Sequence, residues 1–249
     1  MIIENHNRVH FVLTETSHPG NIGAAARAMK TMGFHRLVLV RPKIFPHPEA
    51  TAMASGAEDI LQQAIVCNSL EEATANCRSV LGLSARERRI SAPCAELPQL
   101  GEWWYAQTLA LPMALVFGRE RSGLTNDELD LCDTLVHIPS NPVYSSLNLA
   151  AAVQVVAYTL LSQTPDETPT PEQQPVYPTA DQWHSFYPHL QKVIHLSGFK
   201  AFSGEVLTMR RLRCLCFRAH PTAQDLQLLR GLLTAMERSV QSRNDHEEN

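Results

Sequence analysis

The chain has 249 residues, of which 44% are hydrophobic and 18% charged, a balance typical of a folded globular protein. Its formal net charge of −4 excludes a globally basic nucleic-acid binder, so any nucleic-acid site has to be a local patch. The sequence shows no signal peptide, no long uncharged apolar stretch and no CxxC pair, so we expect a cytoplasmic protein with reduced cysteines and no membrane span.

The first two thirds of the chain alternate between short β-rich runs and helical segments. Val9–Leu13 predicts the first strand, and Gly33 is expected to end the helix that follows. Further strands are predicted at Arg36–Val40, 64–68, Ser79–Ala85, Met113–Gly118 and Leu135–Pro139. Helices are predicted at Ala24–Met32, Ala50–Ala54, Glu58–Gln63, Asn126–Leu131 and from Leu70 onward, and a long apolar helix closes the series. Ser69 and Thr125 are the expected caps of two helices. The repeated strand–loop–helix units predict a parallel α/β domain over residues 1–162.

The composition changes after the long helix. Residues 163–179 are rich in Pro, Thr, Gln and acidic residues without periodicity, which predicts a linker. The Cys-x-Cys pair at 214–216 lacks a second pair of ligands, so we expect no metal site. Residues 180–249 are predicted to form a helical extension, with helices at Asp181–Ser197, Glu205–Ala219 and Thr222–Gln241, the last capped by Thr222.

Four loops follow predicted strands, where parallel α/β folds bind their ligands. Ser17–Arg27 carries glycines that permit a tight turn or the close approach of another backbone, and Asn21 can cap its helix. The spacing of Gly20 and Gly23 fits neither a dinucleotide fingerprint nor a Walker A loop. A tight turn with a surface arginine at Arg27 is the alternative interpretation.

The next two loops differ in how strongly they indicate a binding site. Leu83–Arg86 ends a strand in small residues and is a weak signal by itself. Phe117–Thr125 runs from an apolar strand into two arginines and a glutamate between two glycines, which indicates close approach to a ligand or another chain. A capped surface turn with a local Arg–Glu pair is the alternative.

The fourth loop, Ile138–Asn148, holds more polar groups than a helix end requires. Ser145 or Ser146 can cap the helix, which leaves Asn148 inside the first turn, where asparagine is a mediocre helix former. This surplus of polar groups favours a binding site, although hydrogen bonding within the loop would also use it.

Together these loops resemble the three motifs of the SPOUT methyltransferases, the trefoil-knotted enzymes that use S-adenosylmethionine. Asn21-x-Gly23-x-x-x-Arg27 resembles motif 1, while residues 114–129 and 138–154 resemble motifs 2 and 3. Residues 15–33 and 210–233 are similar to the tRNA cytidine/uridine 2′-O-methyltransferase subfamily. The resemblance implies an α/β fold whose parallel sheet has a deep C-terminal trefoil knot, followed by a small all-helical extension, in a homodimer.

The resemblance also implies a reaction and its residues. S-adenosylmethionine would methylate the ribose 2′-hydroxyl of cytidine or uridine in tRNA, at position 32 of the anticodon loop. Arg27 would be catalytic, with Asn21 placing it. Because a guanidinium normally stays protonated, whether Arg27 acts as base or as electrostatic stabiliser is open. Glu120 would orient the loops or the partner subunit. The pocket residues carried over are Leu83, Ser84, Ala85, Gly118, Ile138, Ser145, Ser146 and Leu147.

A chain with a net negative charge needs a local basic patch to bind tRNA. Residues 200–220 contain five lysines or arginines against a single glutamate. Phosphate contacts would give this segment its affinity, although a solvated helix face explains the pattern equally well by itself. The residues predicted to contact RNA are Arg86, Lys200, Arg210, Arg211 and Arg213.

Three other functions compete with this interpretation. The same fold could methylate ribosomal RNA or a different tRNA position. A catalytically inactive RNA-binding regulator is opposed by the presence of both Arg27 and the Ser145–Leu147 segment. A dinucleotide-dependent oxidoreductase is disfavoured by the glycine spacing.

Overall fold

The computed structural model describes residues 6–84, 94–99, 112–163, 176–199, 204–219 and 221–247. The strands are β1 (Val9–Thr14), β2 (Arg36–Val40), β3 (Ile65–Cys67), β4 (Ser79–Leu83), β5 (Cys94–Glu96), β6 (Met113–Phe117) and β7 (Thr134–His137). The helices are α1 (Pro19–Thr31), α2 (Pro48–Ala54), α3 (Glu58–Gln62), α4 (Leu70–Thr74), α5 (Asn126–Asp130), α6 (Leu149–Ser162), α7 (Ala180–Leu196), α8 (Glu205–Ala219) and α9 (Ala223–Glu247). The six predicted strands are confirmed, and β5 is an addition that the sequence patterns did not predict.

The strands form one parallel sheet in the order β3-β2-β1-β6-β4-β7-β5. β1, β4 and β6 read as apolar runs because helices cover both faces of the sheet. Since all the strands point the same way, their carboxyl ends share one margin of the sheet and their amino ends the other. We call these margins the carboxyl edge and the amino edge.

Two hydrophobic clusters hold the helices on the sheet. Phe11, Leu39 and Phe117 point to the face covered by α1, α2, α3 and α6. Val12 and Val116 point to the opposite face, covered by α4, α5 and the start of α7. Each of these side chains is almost fully buried, and burial of one such side chain stabilises the fold by about 1.5–3 kcal/mol.

The predicted start of α1 is wrong. The helix begins at Pro19 rather than Ala24, because proline suits a first helical position whose N–H has no partner in any helix. Asn21 therefore lies inside the first turn and does not cap it; His18 is the N-cap residue and its side chain makes no capping bond. The predicted caps Ser69, Thr125 and Thr222 are confirmed by bonds from backbone N–H groups to their hydroxyls.

In the extension, α7 and α9 pack around Phe186, Val193, Leu226 and Leu233. The extension meets the sheet domain at the amino edge, where the first N–H groups of α7 donate to the carbonyls of two residues that precede β4. In the described part of the chain no helix is long and apolar enough to cross a bilayer, and no group of three candidate metal ligands occurs.

Candidate functional site

A cavity of about 380 Å³ opens at the carboxyl edge. Its walls come from the ends of β4, β6 and β7 and from the loops that follow β6 and β7. Leu83, Phe117, Ile138 and Leu149 make the wall partly apolar, while serines and charged groups line the rest. A volume in the range of about 300–1,000 Å³ is typical of small-molecule sites, so the cavity can enclose a nucleoside-sized ligand.

The structure brings the predicted pocket residues together. Ala85, which was also predicted, lies outside the described residues. The predicted residues that line the cavity are Leu83, Ser84, Gly118, Ile138, Ser145, Ser146 and Leu147.

The loop after β6 folds tightly on itself. A Cβ atom on Gly118 would lie 2.2 Å from the carbonyl carbon of Gly123, so only glycine fits there. The N–H groups of Arg119 and Gly123 each donate to the other residue's carbonyl, and Gly123 has a φ of 69°. The backbone that approaches Gly118 belongs to its own loop, so the predicted approach to a ligand or another chain stays a prediction.

Arg119 ties this loop to the rest of the carboxyl edge. Its guanidinium makes two bonds to the Glu128 carboxylate, at 2.8 and 3.1 Å, and two contacts with Glu15, at 3.1 and 2.9 Å. Glu128 also closes the capping box of α5 with Thr125. The hydrogen bonds from Arg119 lower the pKa of Glu15 to about 2. A local Arg–Glu pair was one interpretation of this loop, but Glu15 lies 104 residues away, at the end of β1.

Glu120 joins the loop to the start of α1. Its carboxylate accepts bonds from the backbone N–H of Ser17 and His18, from the Ser17 hydroxyl and from the side-chain amide of Asn21. Burial alone would raise the pKa of Glu120, yet these donors together hold it below its ordinary value. A carboxylate with so many donors is a poor proton acceptor, and the geometry fits the predicted orienting role.

Asn21 links this carboxylate to the fourth loop. Its carbonyl oxygen accepts a 3.1 Å bond from the side-chain amide of Asn148, while its own amide donates to Glu120 at 3.0 Å. Asn148 is the N-cap of α6, because its side-chain oxygen accepts from the N–H groups of residues 150 and 151 in the first turn. The predicted caps Ser145 and Ser146 are therefore wrong, since the helix begins later than expected and leaves both serines in the loop.

The polar surplus of the fourth loop has two uses. The Ser140 hydroxyl donates to the carbonyl of Ser145, and the Asn141 side chain accepts from the N–H of Val143. These bonds satisfy polar groups within the loop, as the alternative interpretation expected. Ser145 and Ser146 instead line the cavity, so the remainder of the surplus is available to a ligand.

Arg27 does not lie in the cavity. It is exposed on α1, six residues beyond Asn21, and the described residues that line the cavity do not include it. A catalytic role toward this cavity therefore requires that a substrate or a second subunit bring the two together.

The predicted RNA-contacting arginines separate into two groups. Arg210 pairs with both oxygens of Asp130 at the end of α5, at 2.9 and 3.0 Å. Arg213 donates to the Asp130 carbonyl and stacks on the Tyr187 ring, 4.8 Å from its centroid. Arg211 is exposed. Arg86 and Lys200 lie outside the described residues. Arg210 and Arg213 dock the extension on the sheet domain, which local charge counting does not reveal.

One face of α6 exposes apolar side chains. Val155, Tyr158 and Leu161 are 37%, 59% and 38% exposed, at helical spacing on the side away from the sheet. Tyr144 and Val143 in the preceding loop are 80% and 93% exposed. We call these five residues the α6 surface. Large exposed apolar side chains of this kind are typical of an interaction site.

Two family models match the chain. One, described as the SpoU rRNA Methylase family, matches residues 8–158. The other, described as the tRNA methyltransferase TrmJ C-terminal domain, matches residues 181–246.

Individual relatives agree with these matches. The tRNA (cytidine/uridine-2′-O-)-methyltransferase TrmJ of Yersinia pestis (strain Pestoides F) is 46% identical over 240 residues, covering 94% of this chain and 92% of its own. The crystal structure of TrmJ from Z. mobilis ZM4 superposes with a TM-score of 0.76 at 32% identity, covering 92% and 98% of the two chains. A structure described as giving insights into the 2-OH methylation of C/U34 on tRNA has a TM-score of 0.50 at 28% identity, covering 64% of this chain and 97% of its own.

Proposed function

This chain belongs to the SpoU methylase family, and from that premise we propose that it transfers a methyl group from S-adenosylmethionine to the ribose 2′-hydroxyl of cytidine or uridine in tRNA. The observation that carries the proposal is the cavity at the carboxyl edge, which gathers residues from three separate loops into one site. The full-length similarity to tRNA 2′-O-methyltransferases supports the substrate.

The cavity residues fit S-adenosylmethionine. Leu83, Ile138 and Leu149 offer an apolar surface to an adenine ring, and the hydroxyls of Ser145 and Ser146 can bond to a ribose or to the amino-acid part. When bound, the cofactor supplies an electrophilic methyl group on its sulfonium sulfur. The two backbone hydrogen bonds between Arg119 and Gly123 hold this part of the cavity wall in place.

The hydrogen-bonded chain of Glu120, Asn21 and Asn148 positions the start of α1 beside the cavity. We assign it a positioning role rather than a proton-transfer role, because the pKa of Glu120 is lowered. Arg27 acts on the reacting ribose with its positive charge, by stabilising the developing alkoxide or holding the neighbouring phosphate.

The position of Arg27 supports a homodimer in which this residue of one subunit serves the cavity of the other. The α6 surface supplies the apolar contact that such a dimer needs. We further propose the deep trefoil knot of the family for residues 1–162, a linker over 163–179 and an RNA-binding extension over 180–249, in a cytoplasmic enzyme. Arg211 is exposed to contact phosphates, whereas Arg210 and Arg213 support the extension from its docked side.

Position 32 of the anticodon loop is the proposed target. Position 34 is the second candidate, because the structural relative concerned with C/U34 shares the fold of the sheet domain.

Methyl transfer to tRNA tests this proposal directly. The protein is incubated with labelled S-adenosylmethionine and tRNA from cells that lack 2′-O-methylation, and the methylated nucleotide is located by mass spectrometry. We expect label on a cytidine or uridine ribose at position 32. Label at position 34 would favour the second candidate, and an absence of label on every tRNA would overturn the proposal.

Arg27→Ala should lower turnover at least about 100-fold, because it removes charge stabilisation of the transition state, while cofactor affinity stays near that of the wild type. Lys30→Ala, one turn further along α1, is the matched control and should leave turnover nearly unchanged. Mixing Arg27→Ala subunits with Ser145→Trp subunits, whose cavity is filled, should restore part of the activity. No restoration would contradict service of one subunit's cavity by the other's arginine.

A further inference from the structure

Three arginines lie together at the amino edge of the sheet, away from the cavity. Arg8 directly precedes β1, Arg36 begins β2 and Arg78 directly precedes β4. The strand register pairs Arg36 with His10. It also pairs both Val9 and Ser79 with Met113, so Arg8 and Arg78 each precede a residue that is paired with the start of β6. Because side chains alternate along strands, Arg8, His10, Arg36 and Arg78 fall on one face. We call the three arginines the amino-edge patch.

The charges of the patch are close enough to affect one another. Two strand spacings of about 4.8 Å place the backbones of Arg8 and Arg78 about 10 Å apart. Burial, and after it the charge of Arg8, lowers the pKa of Arg78. Burial, and after it the charge of Arg36, lowers the pKa of His10 to about 4. Three arginines therefore lie along this edge of a chain whose net charge is negative.

Two of these arginines lack the carboxylate partners that other cations of the fold have. Lys30, Arg119 and Lys192 each pair with a carboxylate at 2.9 Å or less. Among the described residues no carboxylate lies within ion-pairing distance of Arg36 or Arg78. Arg36 and Arg78, as positive charges without a carboxylate partner among the described residues, cost free energy in the folded chain, and a polyanion would offset that cost.

The patch also adjoins the extension. The N–H of Ala180, at the start of α7, donates to the carbonyl of Cys77, the residue before Arg78. We propose that the amino-edge patch binds the phosphate backbone of the tRNA substrate and continues the RNA surface of the extension onto the sheet domain. This inference rests on the proposed function, because it takes tRNA as the polyanion.

The test uses the full-length protein and an unmodified tRNA transcript. Arg36→Gln/Arg78→Gln should raise the Kd for tRNA about tenfold at moderate salt and reduce the slope of log K against log salt by about 1.5, since each lost phosphate contact removes about 0.7–0.9. Turnover at saturating tRNA and the Kd for S-adenosylmethionine should stay unchanged, because the cavity lies at the opposite edge. Arg36→Lys/Arg78→Lys should restore most of the affinity, since a lysine also neutralises a phosphate.

Lys30→Gln/Arg41→Gln, at two paired cations outside the extension, is the matched control. It removes the same net charge from residues that already have carboxylate partners, so we expect a change in Kd of less than about twofold. A salt slope equal to that of the wild type in the Arg36→Gln/Arg78→Gln protein would refute the proposal that the patch binds tRNA. An equal loss of tRNA affinity in the control would refute it as well. Neither result would affect the proposed function. Wild-type protein that binds tRNA without methylating it would instead refute the function and spare the patch.

Discussion

The two edges of the sheet differ in whether their charged side chains have partners of opposite charge. At the carboxyl edge Arg119 is held by Glu15 and Glu128, and Glu120 is surrounded by hydrogen-bond donors. At the amino edge Arg36 and Arg78 have no carboxylate partner among the described residues. Paired charges build a rigid wall for a small ligand, whereas uncompensated charges are suited to a polyanion that brings its own counter-charge.

The largest expected effect comes from breaking the paired charges of the carboxyl edge. Arg119→Met leaves Glu15 and Glu128 without their main partner in a mostly buried site, which should cost about 3 kcal/mol of unfolding free energy. The Kd for S-adenosylmethionine should rise with it. Arg41→Met, which removes an exposed partner of the same Glu15, is the control and should cost less than about 1 kcal/mol. Equal losses in urea unfolding would show that the network does not hold the loop.

Lowering the pH should reduce the stability of the fold, because Glu15 at the carboxyl edge becomes protonated. Its folded pKa of about 2 lies below the ordinary value of 4.5, so the ionised form stabilises the fold. That stabilisation is complete above pH 4.5 and is lost as the pH falls toward 2, by about 1 kcal/mol after allowance for solvent screening. Glu15→Gln should flatten this part of the stability profile. Glu49→Gln, at an exposed glutamate, is the control and should leave this profile unchanged. If both variants change the profile equally, the effect does not come from Glu15.

The hydrogen bond from Asn148 to Asn21 joins the fourth loop to the start of α1, and two substitutions of Asn148 test its role. Asn148→Ala removes the cap of α6 and should cost about 1 kcal/mol. Asn148→Asp keeps an oxygen for the helix N–H groups but loses the amide that donates to Asn21. Its unfolding midpoint should stay close to that of the wild type, while methyl transfer slows about tenfold. If activity instead follows stability in both variants, the contact with Asn21 has no positioning role.

The smallest effect is expected where the extension meets α5. Asp130→Asn weakens its paired contact with Arg210, which is partly exposed, so docking should lose less than about 1 kcal/mol. Faster hydrogen exchange in α7 and α8 would report this loss. Asp127→Asn, on an exposed position of the same helix, should leave exchange unchanged.

Sequence patterns predicted the local features of the fold well. The apolar strands, the caps at Ser69 and Thr125 and the linker composition depend on neighbouring residues, and the first two are confirmed. The predicted start of α1 was wrong because helix propensity gave little weight to a first-turn proline. β5 has only three residues, which is too short for a periodic signal.

The candidate site was predictable where it follows the chain and not where it depends on tertiary pairing. Strand ends placed Gly118 and Ser145 at one edge, because parallel strands end together. The pairing of Arg119 with Glu15 and of Arg210 with Asp130 joins residues 104 and 80 positions apart, and no local pattern carries that information. For the same reason, the basic composition of α8 did not show that two of its arginines dock the extension.

The central claim is that the cavity at the carboxyl edge holds the methyl donor. A crystal structure of the full-length protein grown with S-adenosylmethionine tests it most directly. We expect density for the cofactor between Leu83, Gly118 and Ser145, with its methyl group facing the Asn21 end of α1. A cofactor bound anywhere else, or a cavity without density at a concentration that supports turnover, would contradict the account.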